Sequence, residues 1–311
     1  MKHDRIERRA FIKNGAILTG AAVLFPGGIR RLFAGAQGGT PDLVSVKGND
    51  TFAATQKALE LYGAGRVLPK GGRVGVLVNA PSWWKLRGSH VNTEVVLATI
   101  AACQGAGVKE ILFLQNPAPG FWERSPRSAS LPDLVNAPKK FSGNWADIEV
   151  KGGKSLKKAK VAKDLLECDA FVDISIAKDH AGTRFSGCLK NVMGACADPT
   201  NRFFHAGSGA KGEYEDVDFL SQCIADIGLV RRPALCVLDA TVVLGDNGPS
   251  GPGKLLEPRR VIVGADPVAI DAYGAGLIGR TPTDIAMIQK AAAHGLGRAD
   301  VSKLTVKEAV V

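Results

Sequence analysis

Short, nearly continuous apolar runs alternate along the chain with segments whose apolar residues recur at helical spacing. Runs of the first kind occupy residues 43–46, 72–78, 111–114, 170–176, 234–238 and 260–263, and they predict buried strands. Helical spacing predicts helices over residues 51–61, 93–106, 161–166, 214–227, 267–278 and 284–293. Asn92 is placed to cap the second of these helices, Gly105 and Gly107 close it, and Pro267 stands in the first turn of the fifth. Apolar strands separated by helices predict an α/β fold with a mainly parallel sheet and helices on both faces. Residues 115–160 break the rhythm with five prolines and two of the four tryptophans, Trp122 and Trp145. Such a long Pro/Trp-containing excursion is usually a lid, an insertion or a partner surface.

The remaining composition adds little to the fold but much to the amino terminus. A chain of 311 residues that is 45% apolar can form a core without disulfide staples, and it matches neither disordered, collagenous nor coiled-coil sequences. Half of the net charge of +10 belongs to residues 1–36, where Arg8-Arg9-Ala10-Phe11-Ile12-Lys13 precedes a weakly apolar run and the small-residue exit Ala34-Gly35-Ala36. That order resembles a twin-arginine signal, with cleavage expected after Ala36 and residues 37–311 forming one α/β domain, or two lobes with 115–160 inserted. The apolar run is shorter than the roughly 20 residues of a spanning helix. A periplasmic location follows as the expectation, with the export machinery as a partner and no stable membrane span after signal removal. The route carries proteins already folded, often around a cofactor.

Lys151, Lys154, Lys157, Lys158, Lys160 and Lys163 form a basic run, read as a solvated approach to a helix in preference to a strip for an acidic ligand or membrane. No interleaved aromatics accompany it, so nucleic acid is not an expected partner. The six cysteines are scattered. An even count in an oxidising compartment permits disulfides, with Cys188 and Cys196 the favoured pair.

Four ordered stretches resemble the bacterial and archaeal family called domain of unknown function 362. They are Lys178-Asp179-His180 followed by Lys190-Asn191 and Gly194; Asp239 closing a strand; Gly248-Pro249 with Gly251 and Gly253; and Gly264-Ala265-Asp266-Pro267 leading to Asp271. The strand end at Asn79 and the helix after it fit the same pattern, and the resemblance spans roughly residues 43–297. Many relatives in that family carry a ferredoxin-like cysteine module and are regarded as iron–sulfur proteins. This chain departs from them, because its cysteines include no C-x-x-C-x-x-C run.

On their own chemistry, Lys178, His180, Lys190 and Asn191 follow a buried strand and should emerge at the carboxyl edge of the sheet, where open α/β folds bind ligands. The lysines suit a carboxylate or phosphate, a desolvated lysine can attack a carbonyl carbon, and His180 can exchange a proton or ligate a metal. The plainer reading leaves Lys190 in solvent, His180 bonded to the backbone and Asn191 as a cap. Asn79, Gly248, Gly251 and Asp266 are candidates for holding a cofactor, although Asp266 is better placed to cap the helix opened by Pro267. His180, Asp239 and Asp271 are the candidate metal ligands. His90 is expected near the same cleft, His205 in a Gly-rich loop, and His294 at a helix carboxyl end.

No G-x-G-x-x-G follows the first strand, and a G-x-x-x-x-G-K-[ST] loop, a G-x-S-x-G elbow and H-E-x-x-H are absent. Two functional readings remain. The first is an exported enzyme or redox-accessory protein, with a redox partner, acting on a small anionic ligand through an unidentified cofactor or metal. The second is a periplasmic binding protein for such an anion or for a metal.

Overall fold

The computed structural model describes residues 40–81, 86–206 and 216–311. The signal-like segment and the Trp83-Trp84 pair lie outside them. The first half of the chain runs β1 (Leu43–Lys47), α1 (Thr51–Tyr62), β2 (Arg73–Val78), α2 (Thr93–Gly105) and β3 (Glu110–Phe113). Caps fix the two helices: Asp50 accepts from the Ala53 amide and Asn92 from the Glu94 amide, each satisfying an otherwise orphaned donor. Gly63, at φ +76°, ends α1 in the left-handed conformation that glycine adopts without penalty.

The excursion is ordered. It contains a 3-10 turn at Trp122–Arg124, α3 (Pro126–Ser130), α4 (Pro132–Asn136), β4 (Pro138–Lys139), and a hairpin of β5 (Trp145–Glu149) with β6 (Lys158–Ala162). The hairpin corrects two expectations, for the basic run is not the approach to a helix and the helix at 161–166 is instead the carboxyl end of β6 followed by α5 (Lys163–Glu167). The sequence reason is alternation: Ala159 and Val161 face inward while Lys158 is exposed, a period of two. Asp226 holds the hairpin turn, accepting from the amides of Ser155 at 2.6 Å and Leu156 at 2.8 Å.

The second half comprises β7 (Ala170–Ile176), α6 (Cys188–Asn191), α7 (Asp198–Ala206), α8 (Val217–Ile227), β8 (Leu235–Ala240), β9 (Val243–Leu244), β10 (Leu255–Leu256), β11 (Arg260–Gly264), α9 (Pro267–Leu277), α10 (Ala286–Ala293) and β12 (Val306–Val310). His205 therefore sits on a helix, α7, instead of in a loop. Eight strands form the main sheet in the order β12-β1-β11-β8-β7-β2-β3-β4. Every pairing is parallel except the two made by β11, which runs against β1 and β8. The sheet is thus mixed and mostly parallel. One helical layer is α1 with α2; the other joins α6, α8, α9 and α10.

All residues of β7 and β8 are buried, as in strands covered on both faces. Among the described residues no helix is long and apolar enough to cross a membrane. The six cysteines are buried and free. The expected Cys188–Cys196 pair is not formed. Cys188 Sγ lies 2.9 Å from Ser175 Oγ and bonds with the Cys236 thiol, while Cys196 Sγ turns toward the Val192 carbonyl.

Candidate functional site

The carboxyl ends of β2 and β7 deliver the polar cluster. Beyond β7, Lys178 and Ser186 exchange backbone hydrogen bonds of 3.1 and 2.8 Å, closing residues 178–186 into a tight loop. Lys178 begins that loop with its side chain turned inward, at 0% exposure. Its ammonium nitrogen donates to the Ser89 carbonyl and lies 3.5 Å from Asn79 Oδ1 at the end of β2. Asn79 Nδ2 donates to Asn191 Oδ1 at 3.1 Å, and Asn191 Nδ2 to Asp173 Oδ1 at 2.7 Å. A continuous polar line thus joins Lys178, Asn79, Asn191 and Asp173 through the core.

Burial, reinforced by the Lys190 charge, pushes the Lys178 pKa well below that of an ordinary lysine. Burial has the opposite effect on Asp173, whose carboxyl is pushed well upward, and nearby Asp271 adds to it. Asp173 Oδ2 has no partner among the described residues. Lys190 stands on α6 with Nζ 3.6 Å from Met193 Sδ.

His180 follows in the same loop. Its Nδ1 accepts from the amides of Gly182 at 3.0 Å and Thr183 at 3.3 Å, so the ring proton resides on Nε2. Burial, with the charges of Lys190 and Lys178 next, pushes its pKa down to about 2 and keeps the ring neutral. In this tautomer His180 offers a donor, whereas ligation through Nε2 would require the proton on Nδ1, where two amides already donate.

The other two proposed metal ligands are equally engaged. Asp239 Oδ1 accepts from the Thr241 amide at 2.8 Å and its hydroxyl at 2.7 Å, while Oδ2 accepts from the Asn92 amide at 2.7 Å. Asp271 Oδ1 accepts from the Cys188 amide at 2.7 Å and Oδ2 from the Leu189 amide at 3.0 Å, capping α6 from outside. Burial pushes its pKa up to about 7. Among the described residues no group of three or more His, Cys, Asp or Glu is arranged to hold a metal, so His180, Asp239 and Asp271 do not assemble as one.

Of the candidate cofactor residues, Asn79 alone touches the cluster. The Gly248 amide donates to Asp179 Oδ2 at 3.0 Å, its carbonyl accepts from Ala181 at 3.1 Å, and a side chain there would run into the Asp179 carbonyl. The Gly-rich loop is therefore a brace for residues 178–186, and Gly251, at φ +75°, turns it. Asp266 caps α9, accepting from the Ala269 amide at 2.9 Å, and also accepts from Arg298.

His90 adjoins the cluster through Ser89. Burial lowers its pKa, and the charges of Arg124 and Lys178 lower it further. His294 ends α10 as expected, and its Nε2 pairs with Asp226 Oδ1 at 2.7 Å. An apolar cleft of about 700 Å³ between α9, α10 and residues 299–302 includes no residue of the cluster.

Three contributors escaped the sequence pattern. Asp173 left a signal, an acid inside an otherwise apolar strand. Asp179 is part of the Lys178-Asp179-His180 motif but acts through Arg280, whose Nη2 lies 2.5 Å from its Oδ1. Arg124 is one of two arginines in the excursion, and nothing in its spacing marks it.

Among solved structures, the chain is similar to the lactate racemase apoprotein from Thermoanaerobacterium thermosaccharolyticum, with 15% identity, 71% of this chain and 54% of that one covered, and a TM-score of 0.43. It is also similar to a protein from Thermotoga maritima, with 14% identity, coverage of 82% and 58%, and a TM-score of 0.39. The chain spans little more than half the length of either. No curated protein sequence matches it. Residues 74–276 match the family model described as a domain of unknown function, DUF362, and the chain belongs to that family.

Proposed function

We propose that this protein is an exported enzyme that binds a small anionic ligand at the carboxyl ends of β2 and β7 and acts on it through the Lys178 amine. The observation that carries this reading is the Lys178 environment: complete burial beside a second cation, Lys190. A lysine so placed is uncharged at a lower pH than usual, which makes it a base or a carbonyl nucleophile near neutrality. Lys190 supplies charge for an anion, the neutral His180 a donor from Nε2, and Asn79 and Asn191 an orienting pair.

The twin-arginine signature supports translocation in the folded state, a signal removed after Ala36, work in the periplasm, and the export machinery as a partner. A cofactor taken up before export, and a redox protein that meets the chain afterwards, belong to the same proposal. The polar line through Asn79 is the part of the site that would adjoin a cofactor.

Imine trapping tests the amine. Acetaldehyde or glyoxylate with cyanoborohydride, followed by peptide mass spectrometry, should label Lys178 ahead of the exposed lysines, and Lys178→Met should lose that label. Modification confined to exposed lysines would overturn the reading. A second reading, a non-catalytic binding protein for an anion, is favoured by one observation: Asp239 and Asp271 are both occupied by backbone amides, leaving neither to move protons.

A further inference from the structure

Two arginines stand close together on the excursion and have opposite fates. Arg127 is fully employed: it pairs with Asp50 at 2.9 Å and Glu94 at 3.4 Å, and lies over the Phe52 ring at 5.0 Å. Glu94 is occupied as well, since Ser125 Oγ donates to it at 2.9 Å and the Phe52 amide at 3.3 Å. Arg124, three residues earlier, has no ion pair among the described residues. It rests 5.7 Å from the Phe121 ring centre, and its Nη1 is buried without an acceptor. A buried donor left unpaired is unfavourable, because the water it gave up is not replaced. Burial alone perturbs the group, with no carboxylate to offset it.

Arg124 is also directed to the cluster by the way the excursion is anchored. The Ala118 amide donates to the Ala80 carbonyl at 2.9 Å, just beyond β2, and Thr93 Oγ1 donates to the Phe121 carbonyl at 3.0 Å at the start of α2. These two ties bring the 3-10 turn over the strand ends, where His90 lies under the combined charge of Arg124 and Lys178. Ser89, bonded to Lys178, is the neighbour of His90 in the chain. A planar guanidinium fork with a buried donor unmet among the described residues, near the strand ends that carry Lys178 and Lys190, suits an oxyanion.

We propose that Arg124 is the oxyanion clamp of the site at these strand ends, holding the carboxylate or phosphate of a small ligand whose other end faces Lys178. The inference rests on the reading of the site given above and adds the class of ligand. It also gives the excursion a role, since it supplies the specificity-determining charge.

Calorimetric titration of the full chain with acetate, pyruvate and inorganic phosphate tests the clamp. The parent should bind at least one of them, acetate or pyruvate identifying a carboxylate site and phosphate alone a phosphate site. Arg124→Gln should weaken that binding about tenfold or more, and Arg124→Lys, which keeps the charge without the fork, should fall between. Arg127→Gln should lower thermal stability and leave anion affinity unchanged. Parental affinity in Arg124→Gln, or no binding of any probe by the parent, would overturn the clamp. Trapping with acetaldehyde, which has no oxyanion, reads Lys178 separately. A labelled Lys178 with unaltered anion affinity in Arg124→Gln removes the clamp and spares the amine; lost affinity with an unlabelled Lys178 does the reverse.

Discussion

Asp173 and Asp271 are wholly enclosed, and burial raises both carboxyl pKa values. A carboxyl whose pKa is higher in the folded chain contributes stability below its unfolded value, about 4, and loses that contribution as pH rises. For Asp271 the loss runs from there through about 7. Asp173→Asn removes one such group while keeping the oxygen that accepts from Asn191. The urea midpoint of the parent should therefore fall relative to that of Asp173→Asn as pH rises above about 4, leaving the variant the more stable at neutrality. A difference that does not change with pH would show that the Asp173 carboxyl titrates alike in the folded and unfolded chain, and would sink this linkage. At this scale the sequence reading grouped Lys178, His180, Lys190 and Asn191 because they follow a strand end, and set Asn79 apart as a cofactor residue, whereas Asn79 bonds directly with Asn191 and lies against Lys178. It read Asp266 as the cap that it is, yet offered Asp239 and Asp271 as metal ligands although both accept from backbone amides, because capping and ligation draw on the same side chain and only the geometry of nearby amides separates the two uses.

Two loops determine how the strand ends are presented. Residues 178–186 are held by the Gly248 loop on one side and by the Arg280–Asp179 pair, itself fixed at the carboxyl end of α9, on the other. Gly248→Ala places a methyl group against the Asp179 carbonyl and should destabilise the chain by about 2 kcal/mol or more, with loss of imine labelling at Lys178. Urea denaturation and the trapping assay read the two effects; parental stability in the Gly248→Ala variant would show that the brace yields. The loop read as a cradle from its glycines, and its real partner was hidden because close packing of backbone on backbone leaves the same composition. The β5–β6 hairpin was missed for a different reason, as its five lysines outweighed the alternation of Ala159 and Val161. β12 was missed too, having only Val306 and Val310 to mark it at the sheet edge.

At the scale of the molecule, the alternation of strands and helices specified the α/β class, while the sheet order and the reversal of β11 arise from long-range pairings that carry no local pattern. The export proposal also belongs here. Replacing Arg8 and Arg9 together by Lys should retain the chain in the cytoplasm on fractionation, and unchanged delivery to the periplasm would sink the twin-arginine route. The position of β11 has a consequence for the order of synthesis. β1 is hydrogen-bonded on one side to β11 and on the other to β12, so the first strand translated has no sheet neighbour until β11 has left the ribosome, and its outer edge stays open until β12 follows. Pairings so distant in the chain are slow to form and late to close. Under the proposed export route, which accepts folded cargo, β1 would thus be the strand whose pairing lags furthest behind its own synthesis.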